Sequence, residues 1–155
     1  MELAKSLKIE SVNRLSMSRP VMVSPRDSVR QAVALMQQHR IGCVVVIEQD
    51  RLVGIFTERD LLKRIVAPGK PLSLTLAETM TREPVTVRTT DSICAAMRRM
   101  TEGGYRHLPV LDPQDRLVGV LSVRRIVRYL VEHFPQTVYN QPPDPNAVQK
   151  DRDGA

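Results

Sequence analysis

A five-residue sequence occurs twice in this chain. Asp-Arg-Leu-Val-Gly fills positions 50–54 and again 115–119. Upstream, Pro20 matches Pro84 and Asp27 matches Asp91, each pair 64 positions apart, whereas the two pentapeptides are 65 apart. The second copy therefore carries one extra residue, which we place in the turn at 112–114 because turns tolerate insertions. The chain is a tandem repeat, and any fold proposed for it must be built twice.

Each copy has the same order of predicted elements. A short extended segment precedes an aspartate that is suited to cap a helix. The next stretch has apolar residues at i, i+3, i+4 and i+7, which predicts a helix with one buried face. Two apolar strands with a polar turn between them follow, and a second helix closes the copy. In the first copy these segments are 21–23, 29–36, 43–47, 52–56 and 58–66, and in the second they are 85–87, 93–100, 108–111, 117–121 and 123–131.

The pattern predicts a mixed α/β (α+β) fold made of two β-α-β-β-α units. A unit of this size sustains a core poorly by itself, so the two copies are expected to pack together about a pseudo-twofold axis. The predicted organisation is a helical lead-in at 1–15, the first repeat at 16–67, a linker with Pro-Gly-Lys-Pro at 68–79, the second repeat at 80–134, and a proline-rich, partly disordered tail at 135–155.

Composition narrows the possible functions. The formal net charge of +6 favours anionic ligands, but aromatic residues make up 3% of the chain and tryptophan is absent, which argues against a nucleic-acid partner. Charges run through the first ten residues and no apolar stretch could span a bilayer, so we expect a cytoplasmic protein with no membrane partner. Cys43 and Cys94 are isolated and are expected to be free, buried thiols.

The segment Gly-Ile-Phe-Thr-Glu-Arg-Asp, at 54–60, places a hydroxyl and a carboxylate at the start of a predicted helix. Asp60 could accept hydrogen bonds from both hydroxyls of a ribose, and Thr57 stands where helix N–H groups favour a phosphate. The same two residues also fit a helix capping box. The second copy has Ser122 and Arg125 at these positions, a change that a cap survives and a ribose acceptor does not.

The element order, the duplication and the motif Gly–hydrophobic–X–Thr–X–X–Asp together resemble the CBS domain family, over roughly residues 11–134. The resemblance implies a pair of CBS repeats that acts as a non-catalytic regulatory module. Its ligand would be an adenosine-type nucleotide, with AMP, ADP or ATP foremost, bound in the cleft between the repeats. Neither a catalytic cofactor nor a metal is implied.

The resemblance also implies where phosphates bind. Arg106 and His107 precede Leu-Pro-Val and are similar to a basic pair that contacts phosphates in the gamma subunit of AMP-activated protein kinase. With Arg124, they are expected to complete the site begun by Thr57 and Asp60. Arg124 fits a solvated helix face equally well, and His107 also fits a structural histidine.

Two further expectations come from the same resemblance. The cleft that contains Ser122 and Arg125 should be without nucleotide or hold a different anion, because Arg125 is a donor that suits phosphate. The adenine should lie in a slot formed by the first repeat. The residues expected to line this slot are Gly42, Cys43, Val44, Met22 and Val23.

Three functions remain possible. The chain could sense a nucleotide, serve as a dimerisation scaffold for which Asp60 is dispensable, or bind nucleic acid through an arginine-rich face. An enzyme is not expected, because the three histidines lie in unrelated contexts and no nucleophile motif accompanies them. The apolar stripe at 123–131 predicts a homodimer interface, and a separate protein effector, not identified by the sequence, would have to respond to the ligand.

Overall fold

The structure, a computed structural model, describes residues 2–140, so most of the predicted tail lies outside the described residues. Its helices are α1 (Glu2–Ile9), α2 (Val29–His39), α3 (Glu58–Asp60, continued by a π-helical turn at Leu61–Val66), α4 (Leu76–Thr79), α5 (Ile93–Gly103), α6 (Val123–His133) and α7 (Pro135–Tyr139). The strands are β1 (Met22–Val23), β2 (Cys43–Glu48), β3 (Arg51–Thr57), β4 (Thr81–Arg82), β5 (Val87–Arg88), β6 (His107–Leu111) and β7 (Leu117–Ser122). Within residues 2–140 no helix is long and apolar enough to cross a membrane.

The strands form two small sheets, one for each repeat. The first has the order β1-β2-β3-β4 and the second β5-β6-β7. In both, the short first strand pairs in parallel with the next strand, which then forms an antiparallel hairpin with its successor. The predicted α/β class and the twofold β-α-β-β-α order are confirmed. The helices α2 and α5 begin at Ser28 and Ser92, whose hydroxyls accept a hydrogen bond from the first turn as N-caps.

The extra residue of the second copy lies in its hairpin turn. Ile47 pairs with Leu52 in the first hairpin, and Leu111 pairs with Leu117 at the corresponding place in the second, which leaves one residue more in the second loop. The Asp112 carboxylate organises this longer loop, because its Oδ1 accepts hydrogen bonds from the backbone N–H groups of Gln114 and Arg116, both at 2.9 Å.

Each repeat is completed by the segment that leads into the other repeat. Val12 and Leu15 pack in the core of the second repeat, and Leu76 and Met80 pack in the core of the first. The backbone follows the same exchange, because Ser18 bridges to Val120 in β7 whereas β4 pairs with β3. The predicted linker ends in α4, and each lead-in contributes to the core of its partner repeat; the boundaries at 16 and 80 stay predictions.

The glycine of the repeated pentapeptide is explained by this exchange. A Cβ built on Gly54 would overlap Met80 Sδ and lie 3.1 Å from the Thr81 carbonyl oxygen, and one on Gly119 would lie 2.9 Å from Met17 Cβ. Both contacts are with a short segment that crosses from the other repeat, 80–82 over Gly54 and 16–18 over Gly119, here called the crossing segments. Glycine is required here because another backbone passes close above the strand.

The two sheets pack against each other through a third apolar cluster. Cys43, Val45 and Ile55 of the first sheet meet Val120 of the second. Because Val44 and Val46 face the helices of the first repeat, strand β2 is buried on both sides, which accounts for its unbroken apolar sequence. Both cysteines are free, as predicted, although only Cys43 is fully buried.

Candidate functional site

Two clefts lie between the repeats. The one that contains Asp60, here called the Asp60 cleft, has a volume of about 630 Å³. The one that contains Arg125, here called the Arg125 cleft, has a volume of about 1010 Å³. Both volumes are in the range of pockets that hold small ligands.

Corresponding positions of the two repeats lie in opposite clefts. Thr57 and Asp60 line the Asp60 cleft together with the segments 82–85 and 104–107 of the second repeat. Their counterparts Ser122 and Arg125 line the Arg125 cleft with residues of the segments 18–21 and 40–43 of the first repeat. Each cleft therefore combines the helix start of one repeat with the strand starts of the other.

Thr57 and Asp60 form the capping box that the sequence allowed. The Thr57 backbone N–H and its hydroxyl both donate to Asp60 Oδ2, at 3.0 and 3.1 Å, and the Asp60 N–H donates to the Thr57 hydroxyl at 3.2 Å. The cap fixes the carboxylate at the first turn of α3. Because Asp60 also lines the cleft, capping and ligand binding are compatible roles for this residue.

The second carboxylate oxygen of Asp60 is held by two side chains that the sequence analysis did not single out. Thr81 donates its hydroxyl to Oδ1 at 3.2 Å, and Arg64 places its Nε 3.3 Å from the same atom. Thr81 lies in the crossing strand β4, so Asp60 also ties the second repeat to the first. Only 11% of the Asp60 side chain is exposed, and this exposed part faces the cleft.

Arg125 makes the corresponding connection in the other cleft. Its guanidinium donates to the hydroxyl of Ser16 at 2.7 Å and to that of Ser18 at 3.3 Å, both in the crossing segment of the first repeat. Ser122 keeps the helix cap, since its hydroxyl accepts from the Arg125 N–H at 3.4 Å. A carboxylate and a guanidinium thus stand at equivalent positions and hold equivalent segments.

A wall shared by both clefts consists of Gly42, Glu58, Arg106 and His107. A Cβ on Gly42 would lie 3.0 Å from His107 Cε1 and 3.4 Å from Glu58 Oε2, so the imidazole and this carboxylate converge on the glycine. Burial lowers the pKa of His107, the Arg106 charge lowers it further, and Glu58 opposes the shift. His107 is therefore neutral at pH 7 and gains a positive charge only on acidification.

The structure brings together Thr57, Asp60, Arg106 and His107, as the resemblance implied. Arg124 lies in the opposite cleft, on the exposed side of α6 beside Arg125. The alternatives stated for Arg124 and His107 remain open, since an exposed arginine and a largely buried histidine fit either role.

The predicted adenine slot is not assembled beside Asp60. Val23 and Val44 are buried in the core of the first repeat, and Met22 is exposed outside both clefts. Cys43 lines the Arg125 cleft, and Gly42 lines both. Of the five residues Gly42 alone lines the Asp60 cleft, because a strand start of the first repeat faces the motif of the second repeat, and the adenine slot stays a prediction.

The apolar residues at the equivalent place in the Asp60 cleft come from the second repeat. Val85 and Tyr105 line it, and they correspond to Val21 and Ile41 of the first repeat, each 64 positions earlier. The repeat offset could have identified them. Tyr105 directly precedes Arg106 and His107 at the start of β6, so a site that includes this basic pair would also include Tyr105.

Burial raises the pKa of the Cys43 thiol to about 12, with Glu58 adding to the effect, so the thiol stays protonated at neutral pH. Among residues 2–140 no group of three or more histidine, cysteine or acidic side chains is placed to hold a metal ion.

The protein is a paired-repeat module. Its two β-α-β-β-α units exchange their lead-ins and enclose a pair of clefts. The clefts combine acidic and basic groups in a form suited to small polar ligands. The family model described as "CBS domain" matches residues 9–67 and 76–132, and the chain belongs to this family. The two matches begin at residues 9 and 76, in the lead-in segments, whereas the repeats predicted from the sequence begin at 16 and 80.

Related proteins share the module within chains of different length. The chain is 38% identical over 115 residues to the CBS domain-containing protein CBSCBSPB1 of Arabidopsis thaliana, a match that covers 74% of this chain and 21% of the relative. It is 32% identical to the CBS domain-containing protein YhcV of Bacillus subtilis, with 74% of this chain and 81% of YhcV covered. The solved CBS domain protein PAE2072 from Pyrobaculum aerophilum, complexed with AMP, superimposes with a TM-score of 0.70 at 27% identity and covers 79% of this chain and 99% of its own.

Proposed function

We propose that this chain is a regulatory module that binds an adenosine-type nucleotide in the Asp60 cleft. One observation carries the proposal: the Asp60 carboxylate of the first repeat lines the same cleft as the basic pair Arg106–His107 of the second. A diol acceptor and phosphate donors thus face one cavity from opposite repeats. The AMP complex of the P. aerophilum relative supports the ligand class.

The ribose is assigned to Asp60. Its Oδ1 is held by the Thr81 hydroxyl, a contact that one ribose hydroxyl can replace with equivalent chemistry. The Asp60 cap to Thr57 uses the other oxygen and leaves the carboxylate oriented while the diol binds. Phosphate is assigned to Arg106, with His107 adding a donor when it is protonated. The adenine is assigned to the apolar lining formed by Val85, Tyr105 and Ile55.

Charge in the Asp60 cleft favours a ligand with few phosphates. Four basic side chains, Arg59, Lys63, Arg82 and Arg106, share the lining with three acidic ones, Glu58, Asp60 and Glu83. This near balance gives little attraction for a triphosphate, so AMP is the first ligand to test, ahead of ADP and ATP. Ligand binding would change the angle between the repeats, because Asp60 connects the motif helix to the crossing strand, and a protein effector would respond to that change.

The test is a calorimetric titration of wild type and Asp60→Asn with AMP and with 2′-deoxy-AMP. Wild type should bind AMP with one site per chain and prefer it over the deoxy form, because only AMP offers the full diol. Asp60→Asn should weaken AMP binding at least about tenfold, the effect of losing a charge-assisted hydrogen bond, and should remove the preference.

Glu78→Gln is the matched control. Glu78 closes a capping box with Thr75 in α4, through hydrogen bonds of 2.8 Å, and lies outside both clefts. It should bind AMP as wild type does. Wild-type affinity in Asp60→Asn, or an equal loss in Glu78→Gln, would show that the Asp60 carboxylate is only a helix cap and would favour the scaffold hypothesis.

We also propose that the module forms a homodimer through α3 and α6, the helices that begin after Thr57 and Ser122 and are here called the motif helices. The predicted stripe at 123–131 is divided in the structure, because Ile126 turns into the core of the second repeat. Val123 and Val127 remain exposed on α6, and Leu62 and Val66 are exposed on α3. Leu62 and Val127 occupy corresponding positions of the two repeats, so a twofold partner can cover both helices with one contact.

A further inference from the structure

The Arg125 cleft gathers arginines from separate parts of the chain. Five of them line it, together with Glu58 as the acidic residue of the lining. They come from the first lead-in, the end of α2, the start of β6 and the first turn of α6, so they are not the solvated stripe of one helix. The five are Arg19, Arg40, Arg106, Arg124 and Arg125.

Within the part of the chain that the structure describes, none of these five arginines forms an ion pair with a carboxylate, whereas four other arginines do. The four ion pairs within residues 2–140 join Arg64, Arg88, Arg99 and Arg116 to aspartates, and each lies outside the Arg125 cleft. Inside the cleft, Arg125 donates to two serine hydroxyls, which leave its charge uncompensated. Five positive charges that converge on one concave space with a single carboxylate, Glu58, create a strong local field for anions.

Arg40 is held in a backbone conformation that disfavours it. It caps the end of α2 with φ of 52°, in the left-handed region, whereas its counterpart Gly104 has φ of 66° at the end of α5. Glycine adopts this conformation freely, but a side chain costs about 1 kcal/mol there. Arg40 therefore adopts a strained backbone conformation at the position where the end of α2 adds its charge to the cleft. Such local strain is typical of functional sites.

We propose that the Arg125 cleft binds a small polyanion that carries two or more linked phosphate groups, and that no ribose is needed for binding. The ribose acceptor position holds Arg125, which can donate only. The first turn of α6 adds its helix dipole, since Ser122 caps the helix in the same cleft. A cavity of about 1010 Å³ fits a compact ligand better than a nucleic-acid helix, which requires an open surface.

The experiment uses inorganic phosphate, pyrophosphate and tripolyphosphate as probes in calorimetry on the full chain. Affinity should rise along this series and fall when the salt concentration increases. Arg40→Gln and Arg124→Gln should each weaken tripolyphosphate binding roughly tenfold, because each removes a charge-assisted contact. Arg98→Gln is the matched control, since Arg98 is exposed on α5 outside both clefts, and it should bind as wild type does.

The outcome is independent of the proposed nucleotide site, because Asp60→Asn should bind tripolyphosphate with wild-type affinity. Weakened binding in Lys63→Gln, whose residue lines only the Asp60 cleft, but not in Arg40→Gln would place the anion in the other cleft and overturn the proposal. If Arg98→Gln weakened tripolyphosphate binding as much as Arg40→Gln does, the effect would come from the net charge of the protein and not from the cleft, which would also overturn the proposal. Tighter binding of a duplex DNA that depends on Arg40 and Arg124 would identify a nucleic-acid surface instead.

Discussion

Asp60 shows how one side chain can satisfy a structural and a functional requirement together. Its Oδ2 serves the cap with Thr57, and its Oδ1 meets Thr81 and Arg64 at the edge of the cleft. A carboxylate has about four acceptor directions, so these contacts use its full capacity. A ribose diol must therefore exchange with Thr81 or Arg64, and ligand binding becomes coupled to the crossing strand that Thr81 occupies.

His107 gives the protein a pH dependence of defined sign. Its pKa is lowered, mainly by burial, from 6.5, so the unfolded chain binds the proton more readily than the folded one. The contribution of His107 to stability is complete above pH 6.5 and is lost as the pH falls towards the lower folded pKa. In urea unfolding at pH 7.5 and 5.5, His107→Gln should lose less stability on acidification than wild type does.

His39→Gln provides the comparison for this measurement. His39 is exposed at the end of α2 and lines the Arg125 cleft, whereas His107 is partly buried in the wall that both clefts share. Its replacement should leave the acid destabilisation of wild type unchanged. If wild type and His107→Gln lose the same stability between the two pH values, the folded protein accommodates the imidazolium without a penalty, and the burial argument is wrong.

At the scale of elements, the exchange of lead-ins depends on the glycine of the repeated pentapeptide. In Gly54→Ala the new methyl would meet Met80 and the Thr81 carbonyl, and the crossing strand β4 would have to move. We expect a loss of about 1–3 kcal/mol in the free energy of unfolding, the usual cost of overpacking. Gly119→Ala should lose at least as much, because it meets Met17 Cβ rather than a flexible side-chain end.

Urea denaturation measures both variants, with Val118→Ala as the control. Val118 precedes Gly119 but is 41% exposed and faces away from the crossing segment, so its truncation should change stability by less than about 0.5 kcal/mol. Stability of Gly54→Ala equal to that of the control would mean that the crossing segment is held loosely.

The elements could be predicted from the sequence where the signal was local. The apolar spacing along α2 and α5 and the pentapeptide turns identified helices and hairpins in both copies. The two-residue strand β4 and the partner of each lead-in could not be predicted, because they depend on contacts between residues distant in sequence, such as Val12 with the second core and Leu76 with the first. The cleft that each residue of the predicted adenine slot lines depends on contacts of the same kind.

The whole molecule is a symmetric frame with unequal clefts. Duplication supplies two similar cavities, and substitutions at corresponding positions give them opposite character: Asp60 faces a nearly balanced lining, whereas Arg125 faces four other arginines. Because Glu58, Arg106 and His107 line both clefts, an anion in one competes for the charges available to the other. Any such coupling is reciprocal: each ligand would change the affinity of the other by the same factor.

Assembly belongs to the same scale, because the proposed dimer must cover both motif helices at once. Leu62 and Val127 are 59% and 51% exposed at corresponding positions, so one twofold partner could cover both. Sedimentation should give wild type a mass near twice the 17.5 kDa of the chain. Leu62→Glu and Val127→Glu should each shift the protein towards monomer, since a buried unpaired carboxylate strongly destabilises an interface. Val118→Glu, on strand β7, should remain dimeric; a monomeric wild type, or dissociation by all three substitutions alike, would contradict an interface formed by α3 and α6.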